Sequence, residues 1–136
     1  MFEFFDHTAD LGLRIQSPDL NSLFEEAARA MFTAVVEDLS TIEDKVEVEI
    51  RIEGDEVDYL LFDWLTDLLI RFDADHMLFG KFEVEVTPTG MRGRVWGEKI
   101  DRSRHEIEHE VKAITYHGLA VEQTEAGWLA EIIVDI

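Results

Sequence analysis

The run Asp6-His7-Thr8-Ala9-Asp10-Leu11-Gly12 sets two carboxylates, an imidazole and a hydroxyl within five residues. An aromatic run (Phe2, Phe4, Phe5) precedes it and an amphipathic one (Leu11, Leu13, Ile15) follows. Polar density wedged between two apolar strand-like runs reads as a strand–turn–strand with chemistry at its bend. At the far end, Ile132-Ile133-Val134-Asp135-Ile136 carries one acidic side chain deep in an apolar run, beside a terminal carboxylate. If the two ends meet, the acid groups of Asp10, Asp135 and Ile136 crowd one site. Carboxylates so close repel, so either one takes a proton or a cation neutralises them. Carboxylate oxygens suit a hard divalent cation such as calcium, magnesium or manganese.

A second polar concentration, Val111-Lys112-Ala113-Ile114-Thr115-Tyr116-His117-Gly118, lies just before a strand-like run. A lysine among acids can balance the cluster or meet a phosphate as a point charge. The same residues also read as the start of an ordinary strand with hydrogen-bonding side chains. His7 is ambiguous in the same way, since a histidine on a tight bend can bind metal or bond a backbone carbonyl. Asp6 and Thr8 serve equally as turn residues that bond their own backbone. Asp73-Ala74-Asp75-His76 is polar but lacks calcium-loop spacing. Glu98 and Asp101 form an imaginable acid–base pair that no second feature supports. The chain has no glycine-rich phosphate loop, nucleophile elbow, zinc helix or cysteine nucleophile.

The elements that must position these groups follow from periodicity. Ser17 can cap a helix with Pro18 in its first turn. Leu20, Leu23, Phe24, Ala27, Ala28, Met31 and Val35 form one stripe, predicting a helix over Asp19 to Val36. Lys45 to Glu53 alternates strictly and predicts a strand. Asp55 can cap a second helix with the stripe Val57, Leu60, Leu61, Trp64, Leu65, Leu68, Leu69 and Phe72. That stripe is the strongest periodic signal and places this helix at the centre of the core. Phe82 to Val86 and Met91 to Val95 flank the turn Thr87-Pro88-Thr89-Gly90, and a second hairpin spans Leu119 to Val134 around Glu125-Ala126-Gly127. Between them Asp101 to Val111 reads as a polar connection. Two amphipathic helices among seven or eight strands, without regular alternation, predict an α+β fold with mainly antiparallel sheet.

The totals set bounds. At 136 residues the chain reads as a single domain, 1–136, with a real core. Absent cysteine excludes disulfides and thiolate metal sites and fits a reducing, cytoplasmic setting. No apolar run approaches the roughly 20 residues of a membrane span, and the first residues do not resemble a signal peptide. A net charge of -19 repels phosphate backbones, so direct nucleic-acid binding is not expected; a basic protein surface or a cation is the natural partner.

Taken together, the blocks His7-Thr8-Ala9-Asp10-Leu11-Gly12, Leu23 to Ala28, Leu60 to Leu65, Gly97-Glu98, Val111 to His117 and Val134-Asp135-Ile136 resemble the archease family, in family order over nearly the whole chain. The resemblance implies a protein cofactor, not an enzyme, that activates RtcB-type RNA ligases in tRNA splicing and RNA repair. It would promote guanylylation of the ligase with GTP and sustain multiple turnover. It also implies a divalent-cation site, with calcium or manganese the expected ion, at Asp10, Asp135 and the Ile136 carboxylate. Asp6, His7, Lys112, Thr115, Tyr116 and His117 would be neighbours or contacts of ligase and GTP. Two other readings stay open: a stand-alone metal-dependent hydrolase using Asp10, His7 and Lys112, and a chaperone-like modulator of RNA-modifying enzymes with an exposed apolar patch.

Overall fold

The computed structural model describes residues 1–7 and 10–136, with His7 described by its backbone alone. Thr8 and Ala9, the tip of the expected opening turn, lie outside the described residues. In chain order the elements are β1 (Phe2–His7), β2 (Asp10–Ser17), α1 (Leu20–Val35), β3 (Val46–Glu53), α2 (Val57–Asp75), β4 (Met77–Thr87), β5 (Gly90–Lys99), β6 (Ala113–Thr124) and β7 (Gly127–Asp135), with a 3-10 turn at Leu39–Thr41. They form two antiparallel sheets, one ordered β1-β2-β7-β6 and the other β3-β5-β4. The predicted α+β class, two helices on antiparallel sheet, is the architecture observed.

Two capping expectations are corrected. The N-cap of α1 is Asp19, not Ser17: its carboxylate accepts the Ser22 amide at 2.8 Å, and Pro18 lies outside the helix. The Ser17 side chain is buried at the end of β2 and cannot reach the first turn. At α2 the cap position is Glu56, not Asp55, with no side-chain cap bond.

The centre of the core is also shared differently from expectation. α1 packs against β2 of the first sheet and β4 of the second. Sandwiched so, it buries Leu23, Phe24, Ala27, Ala28, Ala30, Met31, Phe32, Ala34 and Val35, a wider arc than one amphipathic stripe. The alanines are what let two layers approach one helix. α2 buries the six residues Leu60, Leu61, Trp64, Leu65, Leu68 and Leu69 and leaves its other face to solvent. Trp64 joins the two helices, donating its indole N–H to the Phe24 carbonyl at 3.0 Å. Its ring lies where a Cβ on Gly93 of β5 would sit, 2.7 Å away, so that strand position requires glycine.

The free edge of β4 is closed by α1. Glu25 accepts the Val84 amide at 2.9 Å and Asn21 accepts the Val86 amide at 2.8 Å. Two outward-pointing donors that would otherwise template another strand are thereby occupied.

Candidate functional site

β2 and β7 are neighbours in the first sheet, and their register sets Asp10 directly opposite Asp135. Extending the row, His7 of β1 faces Asp10 and Ala113 of β6 faces Asp135. Directly opposed residues share a face of the sheet. That face is the outer one, because the alternate residues Leu13, Ile15, Ile132 and Val134 are fully buried against the helices. Both carboxyl-bearing residues are half-buried.

The neighbouring rows explain the local sequence. The next row is Phe5, Gly12, Ile133 and Thr115. A Cβ on Gly12 would meet the Phe5 ring at 2.3 Å, so glycine here lets the ring lie flat across the strand beside the acids. In the row beyond, Arg14 is held between Glu3 at 2.9 Å and Glu131 at 2.9 Å, and its guanidinium also covers Phe5 at 4.7 Å. The nearest arginine on this face is thus committed to other carboxylates.

The remaining site candidates do not all converge on this row. Asp6 pairs with Leu11 and so shares the opposite face from Asp10. The Lys112 amide donates to the Asp135 carbonyl at 2.7 Å, and this exposed residue also borders the cavities beside α2, together with Asp73. Thr115 lies on the acid face, one row away, and its hydroxyl donates to the His117 carbonyl at 3.4 Å. Tyr116 turns to the helix side and stacks on Phe62 of α2 at 3.9 Å between ring centres. His117 is exposed in the irregular middle of β6, where the register with β7 shifts. Ile136 directly follows Asp135. His7 is placed by its backbone register alone. Among the described residues no three histidine or acidic side chains gather as a metal cage.

A different polar cluster, away from the acid row, is densely bonded. Glu98 at the end of β5 is 3 % exposed. It accepts Arg104 at 2.5 and 3.2 Å, the Glu43 amide at 2.7 Å and His105 at 3.1 Å, with the Lys45 ammonium at 3.4 Å. The Arg104 guanidinium, and then the Glu43 amide and His105, hold the Glu98 carboxyl at about 2 despite its burial. His105 Nδ1 accepts the Asp101 amide at 2.9 Å, so the ring donates from Nε2. Asp101 itself bonds Ser103 and closes the turn. Glu98 and Asp101 are therefore parts of an anchor that ties the segment from Asp101 to Val111 to the sheet. The run Arg102-Ser103-Arg104-His105 after a buried-strand glutamate was the available signal for it.

Comparison with known proteins matches these features to one family. The model of the Archease protein family matches residues 2–136. The chain belongs to the archease family. Protein archease of Sulfolobus acidocaldarius is 43% identical over 137 residues, covering 99% of this chain and 98% of that protein. Its Pyrococcus furiosus counterpart is 39% identical over 140 residues, with the same coverages of 99% and 98%. The solution structure of protein 1598 from Methanobacterium thermoautotrophicum superposes with a TM-score of 0.88 at 37% identity, covering 99% of this chain and 98% of that one. The crystal structure of a Thermotoga maritima archease, described as a possible chaperone, has a TM-score of 0.66 at 20% identity and shares the fold. No helix among the described residues is long and apolar enough to cross a membrane.

Proposed function

We propose that this archease family member is an accessory protein of an RtcB-type RNA ligase, working in the cytoplasm in tRNA splicing and RNA repair. It would promote guanylylation of the ligase with GTP and sustain its turnover. The observation that carries the reading is the opposition of Asp10 and Asp135 on one open sheet face. Hard oxygen donors so placed fit a divalent cation, calcium or manganese, with Ile136 next in sequence and His7 next in the row. When bound, the cation would supply positive charge for triphosphate oxygens at the ligase's GTP centre. The chain's own contribution is positional. Pairing of β2 with β7 fixes the two acids, Gly12 admits Phe5 beside them, and the Lys112 amide pins the Asp135 carbonyl.

The stand-alone hydrolase reading needs the Lys112 ammonium beside the acids, and Lys112 borders the cavities next to α2. The deciding measurement is ligase guanylylation by GTP with and without this protein. Asp10→Asn and Asp135→Asn are expected to lose most of the stimulation and to lose heat of calcium binding in calorimetry. Full stimulation by both variants would sink the proposal. Turnover of a phosphoester by the isolated protein would favour the hydrolase.

A further inference from the structure

A cavity of about 170 Å³ opens between α2 and β6, walled by Phe62, Leu69, Ile70 and Ile114, with Asp73 and Lys112 at its polar side. Around it lie three of the chain's exposed large apolar side chains, Tyr59 (51%), Ile70 (58%) and Tyr116 (57%). Their exposure is not looseness. Tyr116 stacks on Phe62 at 3.9 Å and meets Tyr59 edge-on at 5.9 Å, so the rings hold one another in place before any partner arrives. Rigid aromatic surface of this kind loses little entropy on binding.

Size, charge and position together define the occupant. An apolar cavity of about 150 Å³ accepts a single benzene ring, whereas small-molecule sites run from about 300 Å³ upward. This cavity therefore takes one large apolar side chain. Helical spacing sets Asp63 and Asp73 on the same face of α2 as Tyr59, Phe62 and Ile70. Both acids are exposed, and neither forms an ion pair with another described residue. With a net charge of -19 behind them, they call for cations on the facing surface. β6 is the last strand of its sheet, an edge position like that of β4 in the second sheet. The face is also continuous with the acid row, since Lys112 and Ala113 border the cavity while bonding and opposing Asp135.

We propose that the α2–β6 face is the docking surface for a basic protein that inserts one large apolar side chain between Phe62, Ile70 and Ile114 and sets lysine or arginine against Asp63 and Asp73. The inference rests on the ligase reading. An enzyme that joins RNA ends holds phosphate backbones on cationic groups, and so presents the basic surface this face complements. Docking here brings the partner next to the Asp10–Asp135 row, which adjoins the cavity at the Ala113 end of β6.

The test is calorimetric titration of an RtcB-type ligase with the full chain, paired with the guanylylation assay. Ile70→Glu and Tyr59→Ser alter exposed side chains, and unchanged melting temperatures check that they fold. Each is expected to weaken binding by about tenfold or more, with stimulation restored at higher protein concentration. Asp63→Lys is expected to weaken binding and flatten its salt dependence. Asp10→Asn and Asp135→Asn should lose stimulation at every protein concentration, whereas the Ile70 and Tyr59 variants regain it at high concentration. If Ile70→Glu and Tyr59→Ser bind and stimulate like the parent while the Asp10 and Asp135 variants fail, the docking surface is wrong and the ligase reading stands. If the parent neither binds nor stimulates, both fall.

Discussion

Replacing Glu98 by glutamine is expected to destabilise the fold by about 3 kcal/mol near neutral pH. The carboxyl group, ordinarily near 4.5, is held at about 2 by Arg104, the Glu43 amide and His105. A tenfold change in proton affinity corresponds to about 1.36 kcal/mol, so the ionised form is favoured by roughly 3 kcal/mol in the folded chain. An independent scale agrees: breaking one half of a buried ion pair costs about 3–5 kcal/mol. Glutamine keeps the shape and one acceptor oxygen but sets an NH2 group against donors on the other side, so the change removes the charge together with part of the bonding. Because the folded-state value lies below the unfolded one, the contribution is complete above about pH 4.5 and fades as pH falls towards about 2. Urea unfolding at a series of pH values should therefore show a parent–variant gap of about 3 kcal/mol near pH 7 that narrows steadily below about pH 4.5. A gap under about 1 kcal/mol at neutral pH, or one that stays constant down to about pH 3, would refute the assignment of Glu98 as an ionised anchor. The same variant should loosen the Asp101–Val111 segment that leads to Lys112, measurable as faster amide exchange there.

Other outcomes follow from packing. Gly93→Ala should lower stability by about 1–3 kcal/mol, since the added methyl meets the buried Trp64 ring 2.7 Å away; an unchanged denaturation midpoint would contradict the contact. Trp64→Phe removes both the indole donor to Phe24 and ring volume, and should cost about 2–4 kcal/mol in the same assay. Replacing Asn21 and Glu25 together by alanine uncovers the Val84 and Val86 amides. Light scattering on warming should show the double variant aggregating at lower temperature than the parent, and equal onset would mean the β4 edge is protected by something else.

Much of this protein is local and therefore legible along the chain. The α2 stripe from Leu60 to Leu69 and the alternation of Val46 to Glu53 report faces set by 3.6- and 2-residue periods, and both elements formed where those periods place them. The hairpin joining β4 to β5 at Pro88 was equally visible, because turn chemistry needs only adjacent residues. The archease blocks, matched in order, gave the family from the sequence alone.

Tertiary structure decided what depends on distance. Only pairing of β2 with β7 could bring residue 10 opposite residue 135, and only register could put Asp6 on the other face from Asp10. The cap of α1 moved from Ser17 to Asp19 because Ser17 is buried at the end of its strand. Lys112, grouped with the acids by its neighbours in sequence, also borders the cavities beside α2, because β6 packs on that helix just after it. Glu98 showed only part of its weight along the chain: Arg104 and His105 follow it within seven residues, whereas Glu43 and Lys45 lie more than fifty residues upstream. Periodicity tells which face of an element is apolar; which groups then meet across that face depends on how separate elements stack, and that is settled only when the whole chain packs.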